Sequence, residues 1–95
     1  MSEQPTVSIV LPAFNEEKGL DRLLPELRKL YPTYEIVVID DGSTDSSKSI
    51  CIKNSVKVFS HPYPMGNGAA IKSGARHASS DILVFMDADG QHNPE

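Results

Sequence analysis

The feature that most constrains this chain is an alternation of short apolar runs with longer stretches of helical period. Segments 7–11, 35–40, 56–59 and 82–86 are of strand length and rich in Val, Ile and Phe. Leu20, Leu23, Leu24, Leu27 and Leu30 lie between the first two runs at the spacing of one helical face. Asn15 suits the cap of that helix, Glu16 and Glu17 suit the positive end of its dipole, and Pro25 is expected to kink or restart it. A second helix is expected over about 45–53, capped by Ser43 or Thr44 and stopped by Asn54. A third covers 68–78, with small residues on one side that permit close approach to a sheet. The order β-α-β-α-β-α-β with apolar strands implies an α/β fold, a Rossmann-like parallel sheet with flanking helices and right-handed crossovers. The run at 56–59 has edge character, whereas 35–40 and 82–86 read as buried strands.

Two of these runs end in acid. One leads into Asp40-Asp41-Gly42-Ser43-Thr44-Asp45, the other into Asp87-Ala88-Asp89-Gly90-Gln91-His92. Residues i and i+2 of an extended chain project to the same side, so Asp87 and Asp89 are expected to face one small volume. Ligands of open α/β sheets bind at the carboxyl ends of the strands. Two aligned carboxylates repel unless a positive charge lies between them, which points to a divalent cation. The glycines of Gly66-Asn67-Gly68 form neither a Walker loop nor a dinucleotide fingerprint, because Ile71 stands where each requires glycine. They read as a flexible loop feeding a helix that carries Lys72 and Arg76 four residues apart. His61 and His92 have no partner at metal spacing and read as surface loop residues. His77 reads as a packing or exposed residue, and Cys51 as a small hydrophobe.

Composition removes several classes. A net charge of −4 with mixed signs, and no basic run, argues against nucleic acid or an anionic membrane surface as partner. The lone Cys51 excludes an intramolecular disulfide and fits a reducing cytoplasm. The first five residues lack the pattern of a signal peptide, and no apolar run approaches the roughly 18–20 residues that span a bilayer. A cytoplasmic chain is therefore expected.

Four motifs together resemble family 2 glycosyltransferases of the GT-A fold. They are Ile9-Val10-Leu11-Pro12-Ala13-Phe14-Asn15-Glu16-Glu17, Val38-Ile39-Asp40-Asp41-Gly42-Ser43-Thr44-Asp45, Gly66-Asn67-Gly68-Ala69-Ala70 leading to Gly74-Ala75, and the segment from Asp81 to His92. Within the family the chain is most similar to dolichyl- or polyprenyl-phosphate mannosyl- and glucosyltransferases. The resemblance implies an inverting enzyme that moves sugar from a UDP- or GDP-sugar to a lipid phosphate or saccharide acceptor. It implies that Pro12, Ala13, Phe14, Asn15 and Glu16 line the nucleotide pocket and that Ile39 and Asp41 contact base and ribose. Lys72 is a further candidate there. Asp87, Ala88 and Asp89 would form the family's Asp-x-Asp motif, with Asp87, Asp89 and Gln91 holding Mg²⁺ or Mn²⁺. The cation neutralises a departing nucleoside diphosphate without a proton-transfer step.

Family members extend well beyond residue 95. The resemblance therefore implies a single, incomplete nucleotide-sugar-binding domain over 1–95, with any general base beyond it. Such a chain is expected to bind donor weakly and turn over little. A full-length relative would work at the cytoplasmic face of a membrane, and the open edge of an incomplete sheet offers pairing to another copy. Two alternatives remain at this point. One is a response-regulator receiver phosphorylated at Asp87, with Asp40 and Asp41 as its acidic pair. The other is a non-catalytic nucleotide-binding module.

Overall fold

The computed structural model describes residues 5–88. Seven elements follow one another: β1 (Val7–Ala13), α1 (Glu17–Leu30), β2 (Glu35–Asp40), α2 (Ser47–Lys53), β3 (Lys57–Ser60), α3 (Asn67–His77) and β4 (Ile82–Phe85). The strands form one sheet in the order β3-β2-β1-β4, and every neighbouring pair is parallel. The expected α/β, Rossmann-like architecture is therefore the observed one.

Alternation along the strands divides the core into two layers. On one face Ile9, Leu11, Ile36 and Val38 pack with Leu20, Leu24 and Leu27 of α1 and Cys51 of α2. On the other, Val10, Val37 and Ile39 pack with Ala70 of α3. A Cβ added to Gly74 would fall 2.3 Å from Val10 Cγ1, so α3 lies against the sheet at a distance that only glycine permits there. Because the chain winds outward from β1 to β3 and then returns to β4 on the far side of β1, the strand order reverses beside β1. That switch point opens a crevice at the carboxyl ends of β1 and β4.

Several expectations change. β1 runs through Pro12, which pairs in register with Ile39, so the strand ends two residues later than the proline suggested. α1 passes unbroken through Pro25. Pro25 and Asp21 are both exposed, so water can reach the Asp21 carbonyl that the proline leaves without its helical partner. Leu24 and Leu27, both buried, anchor the helix on either side. Leu30 continues the leucine stripe but is 59% exposed at the helix end. α2 begins later than expected, after an N-cap at Ser46 that makes no side-chain capping bond, though Asn54 does end it. β4 is not a buried strand but the edge opposite β3, with Ile82, Val84 and Phe85 exposed among the described residues. No helix among the described residues is long and apolar enough to cross a membrane.

Candidate functional site

The crevice is walled by loops that hold one another in place. Asn15, expected to cap α1, sits instead at φ 51° and braces the β2–α2 loop. Its Oδ1 accepts from Thr44 N at 2.8 Å and Asp45 N at 3.3 Å, while its own N–H donates to Ser43 Oγ at 2.8 Å. The cap of α1 comes from across the gap, since Glu17 N donates to Asp45 Oδ2 at 3.2 Å. The other Asp45 oxygen accepts from Ser47 N at 2.9 Å and so serves the start of α2. Burial alone would raise the Asp45 pKa, but the bonds from Ser47 and Glu17 outweigh it and hold the carboxyl below its ordinary range. Ser46 N donates to Glu17 Oε1 and Glu16 N to Ser47 Oγ, completing the stitch between the two helix starts.

The acidic end of β2 is buried, and each of its carboxylate oxygens accepts at least one hydrogen bond. Asp40 Oδ1 accepts from Ser43 N at 3.1 Å and Oδ2 from Ser60 Oγ at 3.1 Å. Asp41 Oδ1 takes His61 Nδ1 at 2.7 Å and Met65 N at 2.9 Å, and Oδ2 takes Gly66 N at 3.0 Å. Burial pushes the Asp41 pKa up, but His61, Met65 and Gly66 together pull it below the usual carboxylate value. Gly42, at φ +76°, lets the 61–66 loop lie on this turn, because a Cβ there would stand 2.5 Å from Pro64 N and from the Tyr63 carbonyl carbon.

Two small adjoining clefts open over these strand ends. The first is lined by Pro12, Ala13, Phe14, Asp41, Asn67 and Ala70. The second is lined by Pro12, Asn67, Ile71, Phe85, Met86 and Asp87. Pro12 and Asn67 are common to both, so one groove runs from Asp41 to Asp87 across the end of β1. Met86 N donates to Val10 O at 3.0 Å, which carries β4 alongside β1 and brings Asp87 to the groove.

Of the residues singled out from sequence, Pro12, Ala13, Phe14, Asp41 and Asp87 are thus brought together. Asn15 is committed to the neighbouring loop, and Glu16 stands beside it at the start of α1. The Ile39 side chain, expected against the base, is wholly buried under α3 and presents nothing to the groove. Lys72 is exposed, and it is Asn67, Ala70 and Ile71 of its helix that form the wall. Ala88 turns inward and is buried, while Asp87 beside it is exposed. Asp89, Gln91 and His92 lie outside the described residues. Among the described residues no group of three His, Cys, Asp or Glu is placed to hold a metal.

His61 differs most from its reading as a surface histidine. Its ring is largely buried and bridges Asp41 to Ser73 Oγ, which lies 2.8 Å from Nε2. Its place just after β3, level with the end of β2, was the available signal. His77 stacks on Phe59 with ring centroids 3.7 Å apart, and the Cys51 thiol is wholly buried and pushed up to about 11, as befits a core hydrophobe.

An open parallel sheet with a groove at its switch point, walled by acids from two strand ends, defines a Rossmann-like α/β fold. Residues 8–95 match the model of Glycosyl transferase family 2, and the chain belongs to that family. It is 36% identical over 101 residues to a dolichyl-phosphate beta-glucosyltransferase of Trichomonas vaginalis, covering 92% of this chain and 31% of the relative. Identity is 37% over 99 residues to an undecaprenyl-phosphate 4-deoxy-4-formamido-L-arabinose transferase of Salmonella choleraesuis, covering 94% and 30%.

Among solved structures, a glucosyl-3-phosphoglycerate synthase of Mycobacterium tuberculosis in complex with Mn²⁺, UDP and glucosyl-3-phosphoglycerate superimposes with a TM-score of 0.78. It is 32% identical, over 88% of this chain and 33% of that one. A mannosyltransferase of Pyrobaculum calidifontis in complex with GDP-Man and Mn²⁺ shares the fold with a TM-score of 0.83 at 24% identity, over 93% and 28%. The chain spans about a third of the length of these relatives. The receiver alternative falls with the family match, and the acid pair ends the second strand where a receiver's follows its first.

Proposed function

We propose that this chain supplies the donor-binding part of an inverting glycosyltransferase that takes sugar from a nucleoside-diphosphate sugar and passes it to a polyprenyl or dolichyl phosphate. The observation that carries this reading is the continuous groove with Asp41 and Phe14 at one end and Asp87 at the other. Base and ribose lie at the Asp41 end, against Pro12 and Phe14, and the diphosphate at the Asp87 end. The two curated relatives described above, each named for a lipid-phosphate acceptor, support that choice of acceptor.

Of the described groove residues, Asp87 has the chemistry to hold a divalent cation. Asp87 offers a hard carboxylate oxygen, exposed at the groove. Asp87, with Asp89 and Gln91 next to it in sequence, would hold Mg²⁺ or Mn²⁺. When bound, the cation supplies charge neutralisation for the departing nucleoside diphosphate. The chain's own residues bind and orient: Asp41 reads the nucleoside and Pro12, Phe14 and Asn67 shape the channel. A lipid phosphate is already anionic and can attack without a general base. The setting this implies is the cytoplasmic face of a membrane. The 95-residue chain itself binds donor and turns over little.

Asp41 also favours one nucleotide. An ionised carboxylate has about four lone-pair positions, and three of those on Asp41 are occupied by His61, Met65 and Gly66. The one left, on Oδ2, matches the single N–H of a uracil edge. Guanine presents two adjacent donors and needs both oxygens. Calorimetry with UDP and GDP in the presence of Mn²⁺ tests this reading: UDP is expected to bind about tenfold more tightly, the worth of one charge-assisted hydrogen bond. Absence of binding by either nucleotide would overturn the proposal, and a preference for GDP would overturn the assignment of Asp41.

A further inference from the structure

His61 is a largely buried titratable side chain, in contact with Asp41 of the groove, to which the reading above gives no task. Its two nitrogens are both engaged, Nδ1 with Asp41 at 2.7 Å and Nε2 with Ser73 Oγ at 2.8 Å. The direction of these bonds follows from their partners. Asp41 is held ionised by the donors around it and can only accept, so His61 Nδ1 must carry a proton. In the neutral ring Nε2 is then the acceptor, and the Ser73 hydroxyl donates to it. Ser73 lies on α3, the helix whose first turns supply Asn67, Ala70 and Ile71 to the groove. The backbone N–H of His61 is fixed as well, donating to Asp40 O at 2.8 Å.

The donors are arranged so that the carboxylate has little freedom. His61 and Met65 both load Oδ1, and Gly66 loads Oδ2 from the same loop. All three come from the 61–66 loop, which Gly42 allows to lie on the turn after Asp41. The remaining acceptor position of Asp41 is therefore determined by that loop and not by the strand that carries the residue.

We propose that His61 is a positioning residue of the donor site: with its Nδ1–H fixed on Asp41 and its Nε2 held by Ser73, it orients Asp41 so that the one free lone pair of the carboxylate meets the nucleoside. The proposal rests on the reading of the groove as a nucleotide site. It makes the β3–α3 loop and α3, rather than the acidic motif alone, the determinant of nucleoside affinity.

Paired amide substitutions separate the two nitrogens. His61→Asn can offer its Nδ2–H where Nδ1–H stands, whereas His61→Gln reaches only the position of Nε2. Calorimetry with UDP and Mn²⁺ is expected to show about a tenfold loss of affinity for His61→Gln and less than threefold for His61→Asn. Inorganic pyrophosphate with Mn²⁺, which lacks the nucleoside, is expected to bind both variants like the parent chain. Equal losses of UDP affinity in both variants, or a parallel loss of pyrophosphate binding, would overturn the positioning role in favour of a general loosening of the fold.

The ¹⁵N resonances of the His61 ring provide a readout that needs no nucleotide. A protonated Nδ1 with a bare or hydrogen-bonded Nε2 is expected, and an Nε2–H neutral tautomer would refute the relay. If the parent chain binds neither UDP nor GDP, the nucleotide reading fails while the ring tautomer still decides the relay.

Discussion

Asp41 shows how an acid that looks like a ligand is first a structural acceptor. Its carboxylate collects three donors from one loop, and its backbone N–H donates to Ala13 O at 2.8 Å, tying β2 to the end of β1. Replacement by Asn leaves an N–H facing one of those donors whichever way the amide turns. Asp41→Asn is therefore expected to lower stability by about 1–3 kcal/mol, measured by urea denaturation at pH 7, besides weakening nucleotide. Its place at the groove was legible from its position after a buried strand. Its partners were not, because His61, Met65 and Gly66 lie 20 or more residues away and no local pattern encodes that contact. The same limit explains Asn15. A residue of its type before a helix suits a cap, yet tertiary donors from Thr44 and Asp45 claim its side chain.

Among the elements, those read most faithfully have period and length in their favour. Segment 35–40 is β2 to the residue, and Leu20, Leu24 and Leu27 of the α1 stripe do pack on the sheet. β4 was misjudged because a four-residue apolar strand reads alike whether central or at an edge, and only its neighbours decide. Pro25 was misjudged because the cost of a helical proline depends on whether water can reach the carbonyl it strands. α3 illustrates packing that small residues did announce. Gly74→Ala places a methyl against Val10, whose β-branched side chain has little rotamer freedom to yield. The variant is expected to lose about 1–3 kcal/mol by overpacking. A thermal melt indistinguishable from the parent would mean that α3 can withdraw from the sheet at no cost.

For the molecule as a whole, the end of the sheet opposite the groove is fastened by Glu35. It accepts from Ser8 Oγ of β1, from the Lys57 ammonium of β3, and from Ser79 N at 3.0 Å after α3. Burial would raise its pKa, but the Lys57, Ser8 and Ser79 bonds prevail and lower it from 4.5 to about 2. The folded state thus binds this proton less readily than the unfolded chain. The stability gained is complete above about pH 4.5 and is lost as pH falls toward about 2. Denaturation midpoints are expected to decline over that window, and Glu35→Gln is expected to flatten the decline while lowering stability at pH 7 by about 1–3 kcal/mol. At this scale the fold and the family were legible in the sequence, since order and spacing of strands survive local error. The division of labour among acids was not: Asp40, Asp41 and Asp45 are bound into the scaffold, and Asp87 is the carboxylate exposed to the groove among its described lining residues.

That exposure carries the central claim, that the groove takes a nucleoside diphosphate with a divalent cation at its Asp87 end. The direct measurement is the UDP affinity of the chain and of Asp87→Asn, each with and without Mn²⁺. The parent is expected to gain about tenfold or more from Mn²⁺, and the variant to lose most of that gain while its metal-free affinity stays within about twofold. A Mn²⁺ effect of the same size in both proteins, or none in the parent, would contradict the account.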